Sequence, residues 1–422
     1  MRILILNQSF YPDFVPVAQF ASDLAAALAA EGHDVTVVAS RRSYTDAQVQ
    51  FKARETWRGC AVRRVSTLGL GKRGKWRRIL ESAHLLSAFF WQLVRLPRFD
   101  VVIAMTHPPM VAVLAALAIR CKGGRLVSWV MDLNPDEAIA AGWLTAASLA
   151  ARVLDRTMRF TLRSSERVIV LDRFMRERIQ AKGVSPERLV VIPPWSRDDL
   201  ACYDPSGRAK FRAAHGFTDK FVVMYAGNLS PVHPLDTLLK AAASLRDRTD
   251  IVFCFLGGGN ALPGVRAFTE ANGLRNIVCL PYQPLNEVGA SLSAADLHAV
   301  VMGEAMVGIV HPCKIYNILA QGIPLLHIGP RNNHIADILV SLKTPGAAYD
   351  APLGDVAAVA GSILDAAAKR LATVPELRAA VAPFSQNVLV PKAIHALELV
   401  ASRQVPRDSS KAPASDLQPS GD

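Results

Sequence analysis

The 422-residue chain has no CxxC pair and no zinc-like cysteine spacing: Cys60, Cys121, Cys202, Cys254, Cys279 and Cys313 are scattered along it. That excludes a zinc ribbon or a disulfide framework and fits the reduced thiols of a cytosolic protein, several of them in the core. No run reaches the roughly 18 uncharged apolar residues needed to span a bilayer. The apolar opening, Ile3–Leu6, is too short for a secretory signal and reads as a first strand. The βαβ start lacks the GxGxxG fingerprint of dinucleotide binding. No nucleic-acid-binding motif occurs, so nucleic acid is not an expected partner in spite of the net charge of +12. That charge is unevenly spread. Residues 1–200 carry 29 Lys/Arg against 18 Asp/Glu, and residues 201–422 carry 19 against 18. The excess belongs to the N-terminal half and points to an anionic partner there, such as acidic lipid or a phosphate-bearing acceptor.

What is present is a repeated alternation of short apolar strands and amphipathic helices. Strands are expected at Ile3–Leu6, Asp34–Ala39, Cys60–Val65, Asp100–Ala104, Arg125–Met131, Arg167–Leu171 and Arg188–Ile192. Helices lie between most of them. The first helix carries Phe20, Ala21, Leu24, Ala25 and Leu28 on one stripe and stops at Gly32. Pro193-Pro194-Trp195 reads as a hinge or linker. The alternation then starts again at Lys220–Tyr225, continues through Ile251–Leu256 and Ile277–Leu280, and closes with Leu297–Met302 and Leu325–Ile328. The expected class is α/β, two Rossmann-like domains facing a cleft, over 1–195 and 196–385. A C-terminal helix over 386–403, packing back on the first domain, and a disordered Pro/Ser-rich tail over 404–422 complete the chain. Interruptions are expected at Pro383 and Pro391.

Two stretches carry chemistry. Residues 300–329 read as strand, loop, helix, Gly stop and strand, with Gly303, Glu304, Gly308, His311 and Pro312 in the loop and Lys314 opening the helix. A loop at the carboxyl end of a strand, with a helix N-terminus and a lysine behind it, suits a phosphate. An ordinary βα turn with a solvated lysine is the alternative. The second stretch is Lys72, Arg73, Lys75, Arg77 and Arg78, five cations in seven residues, followed by HLLSAFFWQLVRL over residues 84–96. A basic cluster beside an aromatic-rich helix suits an anionic membrane surface. A core helix after a charged loop is the competing reading, because the apolar positions are broader than one face.

The order and spacing of ILILNQSFYPD, MDLNPDEAIAAGWL, VVMYAGNLSPVHPLDTLLKA, FLGGG, LPYQP and HPCKIYNILAQGIPLL resemble the GT-B glycosyltransferases. More closely they resemble glycosyltransferase family 4 in its bacterial surface-polysaccharide branch. The resemblance implies a nucleotide-sugar donor in the second domain, an acceptor in the first and no metal or other cofactor. It also implies departures. Where the family has Arg and Lys on the diphosphate, this chain has Asn228 and His233. Lys314, in Pro312-Cys313-Lys314, would supply part of the missing charge. Asn317 takes the place of the ribose-binding Glu, and Glu304 stands near the sugar-binding Glu but at the wrong spacing. Gly257, Gly258 and Tyr282 should border the base. Asp132 matches the position of an acceptor-side base, with His107 second. A turn aspartate and a packed imidazole are their plainer alternatives.

The implied activity is a retaining transfer from a UDP-sugar to a lipid-linked or polysaccharide-precursor acceptor, at the cytoplasmic face of the cell membrane with the protein held peripherally. Two others stay open at this point. One is a UDP-N-acetylhexosamine epimerase of the same fold. The other is a non-catalytic nucleotide-sugar-binding scaffold, which the substitutions at 228, 233 and 317 would suit.

Overall fold

Apolar strands of three to eight residues, most of them followed by a helix with one buried stripe, form parallel sheets covered on both faces. The computed structural model describes residues 1–402 except Phe14, Thr45, Ala47, 71–73 and 197–201, and except the side chains of Lys75 and Arg78. Lys72, Arg73 and the tail expected over 404–422 therefore lie outside the described residues.

In the first half, chain order is β1 (Arg2–Leu6), α1 (Pro16–Ala30), β2 (Asp34–Ser40), β3 (Arg54–Trp57), β4 (Cys60–Val65), α2 (Lys75–Arg95), β5 (Val101–Ala104) and α3 (Val111–Lys122). It continues with β6 (Arg125–Trp129), α4 (Asp136–Ala140), α5 (Leu149–Ser164), β7 (Arg167–Val170), α6 (Arg173–Ala181) and β8 (Leu189–Val191). These strands form one sheet in the order β3-β4-β2-β1-β5-β6-β7-β8. All neighbours are parallel except β3 and β4. The sequence pattern did not announce β3, because RETW is a charged, half-exposed edge segment held as a hairpin.

The second half runs α7 (Pro205–His215), β9 (Phe221–Asn228), α8 (Asp236–Ser244), β10 (Ile251–Gly258), α9 (Leu262–Ala271), β11 (Ile277–Leu280), α10 (Val288–Ser293) and β12 (Leu297–Val301). Then come α11 (Lys314–Gln321), β13 (Leu325–Ile328), α12 (His334–Leu339), β14 (Ala348–Ala351), α13 (Val356–Lys369), α14 (Pro375–Val381) and α15 (Gln386–Ser402). Its sheet is wholly parallel, β11-β10-β9-β12-β13-β14. Leu325–Ile328 does not close it, since the short, partly polar β14 adds an edge.

Two expected breaks resolve differently. The chain does interrupt at Pro383, inside a 3-10 turn (Ala382–Phe384) between α14 and α15. Pro391, however, lies within α15 without ending it. An internal proline costs about 3 kcal/mol. Burial of Leu389, Val390, Ile394, Leu397 and Val400 in the core of the first sheet offsets that. The linker tryptophan is likewise fixed: Trp195 is buried, lies tilted against Trp129 with ring centres 5.7 Å apart and donates from Nε1 to Asp23 at 2.9 Å.

Strand order reverses between β1 and β5 in the first sheet and between β9 and β12 in the second. Such switch points open a crevice at the carboxyl ends of the strands. The two halves meet near these edges. Leu133 donates from its backbone to the Ile309 carbonyl at 2.9 Å, and Met306, Ile309 and Val310 join the apolar cluster of the first sheet.

Candidate active site

On the second-domain side, the ends of β9 and β10 come too close for side chains. Gly257 has φ 142°, and a Cβ there would sit 2.1 Å from the Gly227 carbonyl oxygen. Tyr282 closes over Gly258 and donates from its hydroxyl to the Gly258 carbonyl at 3.2 Å. Its ring is 59% exposed and leaves a flat apolar face toward solvent.

Lys314 occupies the switch point itself. It starts α11, directly after the loop from β12. Its Nζ lies 3.6 Å above the centre of the Tyr225 ring and next to Gly227, closed off from water and without a hydrogen-bond partner. Desolvation lowers its pKa to about 7. A buried lysine with no counter-charge is costly to hold, and an anion over the Gly227 and Gly257 loops would relieve it. Asn317, one helical turn on, is half-buried on α11, and Asn228 is exposed at the end of β9. Pro312 is buried and its carbonyl accepts from Ile315, so it shapes the start of α11.

His233 does not provide the second cation that its position in the loop suggested. Burial, and then the neighbouring Lys314, push its pKa down to about 3, while a hydrogen bond to the Val301 carbonyl holds the ring in place. It is a neutral imidazole at pH 7. Glu304 is exposed on a 3-10 turn, Glu304–Met306, which packs against α4 of the first domain.

The first-domain side is built differently. Asp132 follows β6. It does not cap α4, whose cap is Pro135. Burial raises its pKa to about 6. Glu137 on α4 is raised further, to about 7, by burial and by the Asp132 charge, with His107 pulling the other way. The three form one electrostatic group. His107 also has Tyr44 edge-on at 6.1 Å and accepts at its carbonyl from the Gln8 amide. Sequence reasoning did not single out Glu137. Its signal was the acidic pair Asp136-Glu137 in the same loop as Asp132, and only the turn decides which of the two faces inward. Asp132 also acts on Cys313, the residue before Lys314, so the acidic group and the lysine face one cleft.

The α2 helix begins at Lys75, so Lys75, Arg77 and Arg78 are helical and Arg77 is exposed. One face buries Leu85, Phe89 and Leu93, while Trp76, Ile79, Leu80, Phe90, Trp91 and Val94 form an exposed stripe. The core-helix reading holds for one face, and the breadth of the pattern comes from a second apolar face that is exposed. Among the described residues no helix is long and apolar enough to cross a membrane.

A third cluster ties the domains. Asp172 caps α6 through Oδ1 and accepts at Oδ2 from His311 Nδ1 at 2.7 Å. His311 Nε2 meets the Tyr316 hydroxyl at 2.7 Å. His334 stacks on His311 at 3.7 Å. The side chains are close enough to hold a metal; both ring nitrogens of His311 are taken up by Asp172 and Tyr316, while those of His334 are buried without a hydrogen-bond partner.

Residues 17–195 match the glycosyl transferase 4-like domain and residues 207–349 match the glycosyl transferases group 1 family. The chain is a GT-B glycosyltransferase. It is 26% identical over 345 residues to WcaI of Escherichia coli (strain K12), named as a colanic acid biosynthesis glycosyl transferase, with 76% of this chain and 82% of that one covered. Among solved structures, Anabaena Alr3699/HepE in complex with UDP and glucose is similar with a TM-score of 0.70 and 16% identity, over 94% of this chain and all of that one. WaaG, a glycosyltransferase involved in lipopolysaccharide biosynthesis, is similar with a TM-score of 0.67 and 18% identity, over 93% and 98%. The two-domain α/β architecture expected from the alternation of strands and helices is the fold these structures share. The transferase reading takes precedence over the epimerase and scaffold readings.

Proposed function

We propose that this glycosyltransferase moves a sugar from a UDP-sugar, with retention and without a metal, onto a lipid-linked precursor of a surface polysaccharide. The carrying observation is the unpaired Nζ of Lys314 beside the Gly227 and Gly257 loops. A diphosphate there gains a charge-assisted contact, and the same lysine steadies the leaving UDP. The UDP held by a protein of this fold and the biosynthetic names of WcaI and WaaG support the donor and the pathway class.

Asp132 accepts the proton of the acceptor hydroxyl as that oxygen attacks the anomeric carbon from the same face that the UDP leaves, so the new bond forms as the sugar–phosphate bond breaks and the configuration is kept. Glu137, raised the further of the two, keeps its proton more readily, so of the pair Asp132 is the carboxyl more often ionised and available at neutral pH. Asn317 and Asn228 offer amides to the ribose and the phosphates. The exposed stripe on α2, with Arg77 next to it, supports peripheral contact with an anionic membrane, where a lipid-linked acceptor would be met. The test is transfer from a panel of radiolabelled UDP-, GDP- and ADP-sugars to a membrane lipid extract in EDTA. Labelled lipid from a UDP-sugar alone, with the donor's anomeric configuration kept, is expected. Transfer only with added magnesium, or from another nucleotide alone, would overturn the corresponding part.

A further inference from the structure

A cavity of about 250 Å³ runs between α3 and α5 at the carboxyl ends of β5 and β6, with Asp132 in its wall. Met105, Met110, Val113, Leu154, Met158 and Leu162 are its larger apolar side chains. An acceptor-side cavity beside the base would be expected to present hydroxyls and amides to a saccharide. This one exposes mainly hydrocarbon, although hydroxyls and an amide also line it. Of the other polar groups in the wall, the Thr157 and Thr161 hydroxyls are spent on helix carbonyls, Ser128 on Ser165 and the Asn134 amide on Glu137, which leaves Thr106 Oγ and Trp129 Nε1 shut off from water and unpartnered.

We infer that this cavity holds the proximal hydrocarbon chain of the acceptor lipid while the reacting hydroxyl lies at Asp132. The inference rests on the transferase reading above and adds to it what the acceptor site selects. Size decides against the smaller apolar groups that sugars carry. A cavity of about 150 Å³ accommodates benzene, so this one takes a chain of about ten carbons, far more than the methyl of a deoxy sugar or an acetyl group. The surroundings supply a route. Pro109 and Met110, exposed in the wall, mark the mouth. The helices α2, α3 and α5 lie side by side on one face of the sheet. Each carries exposed apolar side chains: the α2 stripe, Leu117 on α3, and Leu149 and Val153 on α5. Exposed Arg152 and Arg156 on α5 stand beside them, placed for a headgroup or a lipid phosphate. These side chains offer apolar cover to a chain passing from an anionic membrane along this face toward the mouth. Thr106 and Trp129 are donors for an oxygen at the head of the chain.

The test is calorimetric titration of the full chain with ethyl, decyl and geranyl phosphate, each followed by UDP in the same cell. Burial of one methylene is worth about fourfold in affinity, so the decyl or geranyl ester should bind at least tenfold tighter than the ethyl ester. Preference for geranyl marks an isoprenoid chain, and preference for decyl a straight acyl chain. Filling the cavity from either wall, with Val113→Trp on α3 or Thr157→Phe on α5, should abolish the chain-length dependence and leave UDP binding unchanged. Trp76→Ser with Trp91→Ser on α2 should leave the chain-length dependence intact, since that stripe is a docking face and not the cavity. Equal affinity for all three esters, or an undiminished decyl effect in both filled variants, with UDP still bound, overturns the inference. Loss of UDP binding by the unmodified chain instead fails the donor reading on which it rests.

Discussion

The two walls of the cleft hold their charges in opposite ways. The donor wall buries a cation, Lys314, between backbone loops that only glycine permits. The acceptor wall buries two carboxyls, Asp132 and Glu137, beside an apolar cavity. In both cases desolvation moves the group toward neutrality, to about 7 for the lysine and about 6 and 7 for the acids. Under the proposed function each wall is poised for what its substrate would bring: the donor wall for negative charge, the acceptor wall for a proton. Both arrangements cost stability. Between pH 7 and 10.5 the unfolded chain binds the Lys314 proton more tightly, so that group's contribution to stability rises with pH. Between pH 3.8 and 6 the native chain binds the Asp132 proton more tightly, so that group's contribution falls as pH rises.

The comparison breaks most severely at Asp132. Asp132→Asn should lower kcat by roughly 10²–10⁴-fold, with UDP affinity within twofold of the unmodified protein; steady-state kinetics and titration check the two separately. On the other wall, Lys314→Met should weaken UDP-sugar binding by roughly ten- to a hundredfold, the worth of a charge-assisted hydrogen bond. The same change should raise the Tm of the ligand-free protein by a few degrees, because the uncompensated charge is gone. A variant that loses donor binding and also melts earlier would mean that Lys314 holds the fold together.

The opposed titrations give kcat/KM a narrow bell, with an acid limb near pH 6 from Asp132 and an alkaline limb near pH 7 from Lys314, each approaching tenfold per pH unit. Lys314→Arg, charged throughout this range, should flatten the alkaline limb alone. The smallest effect lies outside the cleft. Replacing Trp76 and Trp91 by Ser, or Lys72, Arg73, Lys75, Arg77 and Arg78 by Ser, should reduce sedimentation with anionic vesicles severalfold and leave transfer to a water-soluble acceptor analogue unchanged.

Much of this site was legible in the order of residues. The pattern of strand, loop and helix put Lys314 at a strand's carboxyl end, and the topology then made that end a switch point. Asp132 was legible for the same reason, as the first polar residue after the apolar run of β6. What could not be read was the state of each group. The neutrality of His233 follows from its depth and from Lys314 nearby in space, eighty-one positions away in the chain. Glu137 is drawn to Asp132 by a turn, which residue types alone do not fix. The two faces of α2 were visible as excess breadth, but only its packing shows which face meets the core. The cavity has no motif at all. It is a space left by Ala, Thr and Met side chains on elements up to about sixty residues apart.

In the proposed function Lys314 is the counter-charge waiting for the donor diphosphate. The most direct test is calorimetric titration with UDP-glucose, whose diphosphate has no oxygen titrating near neutrality, at pH 7 in EDTA and in two buffers of different ionisation enthalpy. Binding should draw in about half a proton, the amount needed to complete protonation of a group with a pKa near 7, and that uptake should vanish in Lys314→Met. Binding with no proton uptake, or with the same uptake in the variant, would contradict the account.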